Sequence, residues 1–216
     1  MNITFKHTAL AIALLAAMGT AQATALMSNT PATSVDIVAS AFGGTLLDSA
    51  TTLISNSSYS GTARTAVYST ASGLDFYYQF TNSPTSVNGV ERFTGYNFSS
   101  LGASVVNIFQ TGAAFGIFTA GTETADTADR TVLGVIGINF IPNGNSKINP
   151  GTTSFTEIVR TNATAYTAGN FGLLDGYGDN AVGFATAVPE PESYALLLAG
   201  LGMIGTIIRR RKDQQG

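Results

Sequence analysis

Short apolar runs recur along residues 24–187 and constrain the fold more than any other feature of this sequence. The runs are rich in Val, Ile, Thr, Phe and Tyr, and clusters of Gly, Asn, Ser and Asp separate them. β-branched and aromatic residues fit a pleated, half-buried surface, whereas the separating residues favour turns. The runs predict strands at residues 34–39, 63–70, 74–81, 90–98, 104–110, 113–119, 131–140, 154–160, 168–174 and 181–184.

Two of these runs carry distinct patterns. Residues 74–81 alternate apolar and polar side chains, which predicts a half-buried strand. Residues 132–140 are almost continuously apolar, which predicts a central strand covered on both faces, and Gly134 and Gly137 then mark a bulge or a close backbone approach. Regular short strands with few helix signals predict a mainly β domain at residues 24–187, an antiparallel β-sandwich of jelly-roll or immunoglobulin-like type.

The composition excludes several catalytic classes. The chain has no cysteine, and its single histidine is His7. A Ser-His-Asp triad, a His-ligated zinc site and a disulfide framework are therefore excluded for residues 24–187. That segment also carries five basic residues against ten acidic ones, which argues against nucleic acid as a partner because phosphate binding needs a clustered basic face.

Residues 1–23 have the pattern of a cleavable signal peptide. Lys6 precedes an apolar run at residues 8–18, and Ala21 and Ala23 form an A-x-A cleavage site. We predict cleavage by signal peptidase after Ala23, although Ala23 and Ala25 offer a second A-x-A site. The alternative is a retained membrane anchor, but the apolar run is shorter than the ~20 residues that span a bilayer.

The composition changes again at residues 188–216. The sequence Val-Pro-Glu-Pro at residues 188–191 precedes an uncharged stretch, which predicts a transmembrane helix at residues 193–208. A basic tail at residues 209–216 follows, and its four cations are Arg209, Arg210, Arg211 and Lys212. Such a cluster stops transfer, so the C-terminus would be cytoplasmic and the preceding domain outside. The alternative is a buried core helix followed by a solvated tail.

This order of motif, apolar span and basic cluster resembles the C-terminal sorting signal of PEP-CTERM proteins, the substrates of exosortase. The resemblance implies that Pro189, Glu190 and Pro191 are recognised by this transpeptidase-like processing enzyme. Family members often have a small residue directly after the motif, where this chain has Glu192. The resemblance also implies a Gram-negative bacterium that makes extracellular polysaccharide, an inner-membrane intermediate, and a final location at the cell surface or in the extracellular matrix.

One loop offers candidate metal ligands. Asp175, Asp179 and Asn180 lie on a glycine-rich stretch, and carboxylate and amide oxygens are the ligands that calcium takes in proteins. The stretch is not an EF-hand loop, because no glutamate closes it. We therefore carry a calcium hypothesis for these three residues, with an ordinary turn between the last two strands as the alternative.

No catalytic or cofactor site emerges from the remaining residues. The run at 200–205 matches G-x-G-x-x-G, but it lies inside the predicted membrane helix rather than between a strand and a helix. We expect a non-catalytic structural or adhesive module of the polysaccharide matrix, because uncharged Thr, Ser, Asn and Gly surfaces bond hydroxyl groups at little desolvation cost. The alternatives are a carbohydrate-active enzyme with paired carboxylates and an ice-binding surface protein.

Overall fold

The structure is a computed structural model that describes residues 23–38, 43–95, 97–102, 104, 106–141, 147–187, 196–201 and 203–204. Thirteen strands lie among these residues, and a 3-10 helix covers Ser99–Leu101. The strands are β1 (Thr24–Leu26), β2 (Thr30–Ser34), β3 (Asp36–Ile37), β4 (Thr45–Ser55), β5 (Ser60–Thr70), β6 (Gly73–Asn82), β7 (Arg92–Gly95), β8 (Val106–Thr111), β9 (Thr127–Arg130), β10 (Ile136–Asn139), β11 (Thr156–Arg160), β12 (Tyr166–Leu174) and β13 (Gly178–Thr186).

The strands form two sheets. The seven-stranded sheet has the order β1-β8-β11-β6-β5-β4, with β3 also pairing with β8, and the six-stranded sheet has the order β13-β12-β7-β10-β9-β2. All these pairings are antiparallel except that of β3 with β8. The predicted mainly antiparallel β fold is therefore confirmed, and its finer assignment to a jelly-roll or immunoglobulin-like type stays a prediction.

The main core lies between the sheets. Phe76, Tyr78 and Phe80 of β6 point into it, as the alternation in this run predicts. Aromatic rings from the other sheet meet them, and the Tyr78 and Phe171 ring centroids lie 5.2 Å apart. Large rings bury much apolar area and favour tilted or edge contacts, which stabilise this pairing of the sheets.

The second face of β6 is also buried, so the prediction of a half-buried strand is wrong. Gln79 and Tyr77 on that face are 0% exposed. A tight turn around Phe115 and Phe118 covers this face, and Phe118 packs on Tyr77 with 5.7 Å between ring centroids. The turn occupies residues 113–119, where we predicted a strand.

The apolar run at residues 131–140 is also not one strand. Val132 and Leu133 lie on a turn between β9 and β10, and they are 68% and 74% exposed. Gly134 makes the turn with a φ of +79°, in a region that favours glycine. The prediction holds for β10, an inner strand of its sheet, where a Cβ on Gly137 would lie 1.7 Å from the Arg92 guanidinium.

Other strands also differ from those that the sequence predicts. The run at residues 34–39 divides at Val35, because β2 belongs to the six-stranded sheet and β3 to the seven-stranded sheet. β1, β4 and β9 were not predicted, because their Thr, Ser, Ala and Asp residues lack a strong apolar period.

Several predictions fall wholly or partly outside the described residues. They concern residues 1–22 of the signal peptide, Pro189 to Pro191 of the sorting motif, and the basic cluster at residues 209–212. Of the predicted membrane helix, residues 196–201 and 203–204 are described, and they are helical. Within the part of the chain that the structure describes, no helix has the length and apolar character needed to cross a membrane.

Candidate functional site

Three adjoining cavities surround the loop between β11 and β12, and we call them together the Asn162 groove. Their volumes are about 410, 320 and 180 Å³, and Asn162 lines all three. The walls are the β5–β6 turn, the loop at residues 161–165, the 3-10 helix and Ala187. Four segments that lie far apart in the sequence therefore form the groove.

Close backbone packing fixes the two central walls. The Thr161 N–H and hydroxyl both donate to the Leu74 carbonyl oxygen, at 2.9 and 2.8 Å. Gly73 has a φ of +134°, and a Cβ there would lie 2.5 Å from the Thr161 carbonyl oxygen and 2.8 Å from Asn162 Cα. Only glycine fits this contact, so the β5–β6 turn lies directly against the 161–165 loop.

A buried arginine stabilises the wall that is formed by the 3-10 helix and the residues after it. Arg130 of β9 is 1% exposed, and its guanidinium donates to the carbonyl oxygens of Ser104 at 2.6 Å and Gly102 at 3.0 Å. These carbonyl groups belong to the chain that leaves the 3-10 helix. Arg130 thus fixes the segment that lines the largest cavity.

The lining mixes polar side chains with small apolar ones and carries little charge. Ser72, Asn162 and Thr164 are exposed on the groove, and their side chains make no hydrogen bond to any residue that the structure describes. Hydroxyl and amide groups can both donate and accept, so they suit a ligand that carries many hydroxyl groups.

Arg160 is the one charged side chain among the described residues of the lining. Its guanidinium donates to both carboxylate oxygens of Asp75, at 3.0 and 2.7 Å, and lies 4.8 Å from the centroid of the Phe109 ring. Burial raises the pKa of the Asp75 carboxyl, and the hydrogen bonds from Arg160 oppose this rise. The same bonds raise the pKa of Arg160, so the pair presents little net charge to the groove.

The end of β13 borders the largest cavity. The Ala187 N–H donates to the Ala165 carbonyl oxygen at 3.0 Å, which ties the last residue of this segment to the groove loop. The hydroxyl groups of Thr186 and Ser100 also hydrogen-bond to each other. The chain therefore leaves the sandwich at the rim of the Asn162 groove.

Of the residues of the calcium hypothesis, Asp175 lies on the hairpin turn between β12 and β13, whereas Asp179 and Asn180 lie in β13 and pair with β12. Asp175 is 8% exposed, and its carboxylate accepts a hydrogen bond from the Ser58 hydroxyl at 2.5 Å. The Lys147 ammonium lies 3.6 Å from the other oxygen of Asp175 and also contacts Glu91. A lysine cation therefore already compensates the Asp175 carboxylate.

The other two residues of the hypothesis contact each other. The Asp179 carboxylate accepts a hydrogen bond from the backbone N–H of Asn180 at 2.8 Å. Among the described residues, no group of three or more His, Cys, Asp or Glu side chains is arranged to hold a metal ion. The calcium hypothesis for Asp175, Asp179 and Asn180 stays a prediction.

Two further carboxylates, those of Asp129 and Glu157, lie away from the groove. Asp129 of β9 receives two hydrogen bonds from the Arg92 guanidinium, at 2.7 and 2.9 Å. Glu157 of β11 is 0% exposed, and neither carboxyl oxygen has a hydrogen-bond partner among the described residues. Burial raises the pKa of Glu157 well above its ordinary value. Neither group lines the Asn162 groove.

The comparisons with known proteins concern the segment that leaves the groove. A family model for the PEP-CTERM protein-sorting motif matches residues 187–212. No curated protein and no solved structure is significantly similar to the chain. The matched residues include the Pro189-Glu190-Pro191 motif and the four cations predicted to stop transfer. The chain therefore carries a PEP-CTERM protein-sorting motif at residues 187–212.

Proposed function

We propose that this protein is exported, processed by exosortase, and serves as a non-catalytic adhesive module that binds neutral extracellular polysaccharide in the Asn162 groove. The observation that carries the proposal is the position of the sorting motif. It begins at Ala187, which lines the groove and follows the last strand directly. Processing at this motif would thus leave a folded β domain outside the cell.

The export route follows from the two ends of the chain. Signal peptidase removes residues 1–23, and β1 begins at Thr24, immediately after the predicted cleavage site. The helix at residues 193–208 then holds an intermediate in the inner membrane, and its basic tail keeps the C-terminus cytoplasmic. Exosortase acts at Pro189 to Pro191, and the domain reaches the cell surface or matrix.

The chemistry of the groove supports a neutral glycan. Its exposed polar groups are hydroxyls and an amide, which exchange hydrogen bonds with sugar hydroxyls without burying an unpaired charge. The adjoining cavities form an open, extended site that suits several sugar units of a linear chain. Among the residues that the structure describes, no carboxylate lines it, which favours binding over hydrolysis, since glycosidases need two acids at the scissile bond.

The test is glycan binding by the full chain purified in detergent. We expect binding without turnover, and Asn162→Ala should weaken it roughly fivefold, the effect of losing about 1 kcal/mol from one hydrogen bond. Asn170→Ala is the matched control, because Asn170 is an exposed asparagine on β12 that does not line the groove. Equal losses in the two variants, or hydrolysis of the glycan, would contradict the proposal.

A further inference from the structure

The seven-stranded sheet ends in a long edge strand. β4 has 11 residues and pairs with β5 along one side only. No other strand among the described residues pairs with its second side. One row of backbone N–H and C=O groups is therefore open to another strand.

This edge has few of the features that usually prevent pairing. β4 contains neither lysine nor proline, and Asp48 is its only charged residue. Leu46, Leu47 and Leu53 are 48%, 44% and 81% exposed, so both ends of the strand present leucine side chains to solvent. A bulge interrupts the strand at Leu47, but residues 48–55 pair regularly with β5. A long edge strand of this kind, without lysine or proline, is a template for strand addition.

The sequence of β4 is also nearly symmetric about its central residue, Ala50. In an antiparallel pair centred there, Leu47 faces Leu53 of the second strand, and Ser49 faces Thr51. Asp48 faces Thr52, so the two carboxylates do not meet. The match covers residues 47–53, because the bulge at Leu47 changes the alternation before it. Such self-complementarity suits a two-fold contact, in which the same surface serves both copies.

We propose that β4 pairs antiparallel with β4 of a second copy of this chain, about a two-fold axis at Ala50. The pairing joins the two seven-stranded sheets into one continuous sheet. Backbone hydrogen bonds stabilise it, and the facing leucines exclude water from the pair. A two-fold contact closes on itself and gives a dimer rather than a fibre. The proposal does not depend on polysaccharide binding.

Cysteine substitutions test the register, because the chain has no native cysteine. Directly opposite residues of an antiparallel pair have Cβ atoms about 4.5–5.5 Å apart, close to the reach of a disulfide. Full chain in detergent carrying Ala50→Cys should therefore form a covalent dimer on oxidation. Thr51→Cys faces Ser49 rather than its own copy, and Leu133→Cys lies on the exposed β9–β10 turn. Both controls should stay uncrosslinked.

Sedimentation of the same full chain tests the contact without oxidation. The unaltered chain should sediment as a dimer, and Leu53→Lys should shift it to monomer without lowering its melting temperature, because Leu53 is exposed in the single copy. Adding Leu47→Glu should restore the dimer, since each lysine then faces a glutamate. A monomeric unaltered chain, or crosslinking of all three cysteine variants alike, would overturn the proposal.

Discussion

The buried carboxyl group of Glu157 should make the free energy of unfolding depend on pH. Its carboxyl is 0% exposed in the core between the sheets, and its cross-strand neighbours are Tyr78 of β6 and Gln110 of β8. Neither of its oxygens has a hydrogen-bond partner in the part of the chain that the structure describes. An unpaired buried carboxylate is very costly, so the folded chain keeps this group protonated and its pKa is raised.

The sign and size of the effect follow from proton linkage. In the unfolded chain Glu157 ionises near pH 4.3, whereas in the folded chain it keeps its proton to higher pH. Between these two pKa values the folded state binds one more proton, so the free energy of unfolding falls as pH rises. The loss is about 1.4 kcal/mol for each pH unit in that window. For a domain of this size it corresponds to about 3 to 5 °C in melting temperature per pH unit.

The assay compares melting curves of the unaltered full chain and the Glu157→Gln variant across a pH series. Gln has nearly the same shape but does not ionise, so the difference between the two melting temperatures should change by the stated amount per pH unit. Glu123→Gln is the matched control, because Glu123 is partly exposed and its substitution should leave the slope unchanged. Glu157→Leu provides a second non-ionising variant if the amide disturbs the core.

Parallel pH slopes for the unaltered chain and both Glu157 variants would refute this reasoning. Such a result would mean that Glu157 carries the same number of protons in the folded and unfolded chains. A slope of the opposite sign would also refute it, because it would require a folded state that favours the carboxylate.

Three further predictions concern other contacts. Arg160→Met should destabilise the fold by about 3 kcal/mol, measured by denaturant unfolding, because it leaves the buried Asp75 carboxylate without its cation. Gly73→Ala should cost more than about 1 kcal/mol, since the left-handed φ and the 161–165 backbone exclude a Cβ, whereas Gly178→Ala meets no atom within 4 Å and should be tolerated. The calcium hypothesis requires a calcium-dependent rise in melting temperature that Asp179→Ala abolishes; because Lys147 already pairs with Asp175, we expect the same midpoint in calcium and in chelator.

The sequence was informative where side-chain periodicity decides the structure. The alternation at residues 74–81 predicts β6 and its inner face, because a strand places alternate residues on one side. The second face could not be predicted, since the turn that covers it comes from residues 113–119. The apolar run at residues 131–140 misled for a local reason, because Gly134 allows a turn that leaves Leu133 exposed.

The candidate sites also differ in how far the sequence alone could predict them. The sorting motif is contiguous, so the sequence alone indicates Pro189 to Pro191 and the following basic cluster. The Asn162 groove draws its walls from segments near residues 73, 101, 162 and 187, and only the sheet topology brings them together. Glu157 also has no sequence signal, because a carboxylate at an inward strand position contradicts the apolar pattern of its neighbours.

The mass of the protein found outside the cell tests the account most directly. Export followed by exosortase processing predicts an extracellular species that begins at Thr24 and lacks Arg209 to Lys212. In cells without exosortase, the basic tail should remain on a membrane-bound intermediate. An intact chain that retains Arg209 to Lys212 and stays in the cytoplasm of cells with active exosortase would contradict the account.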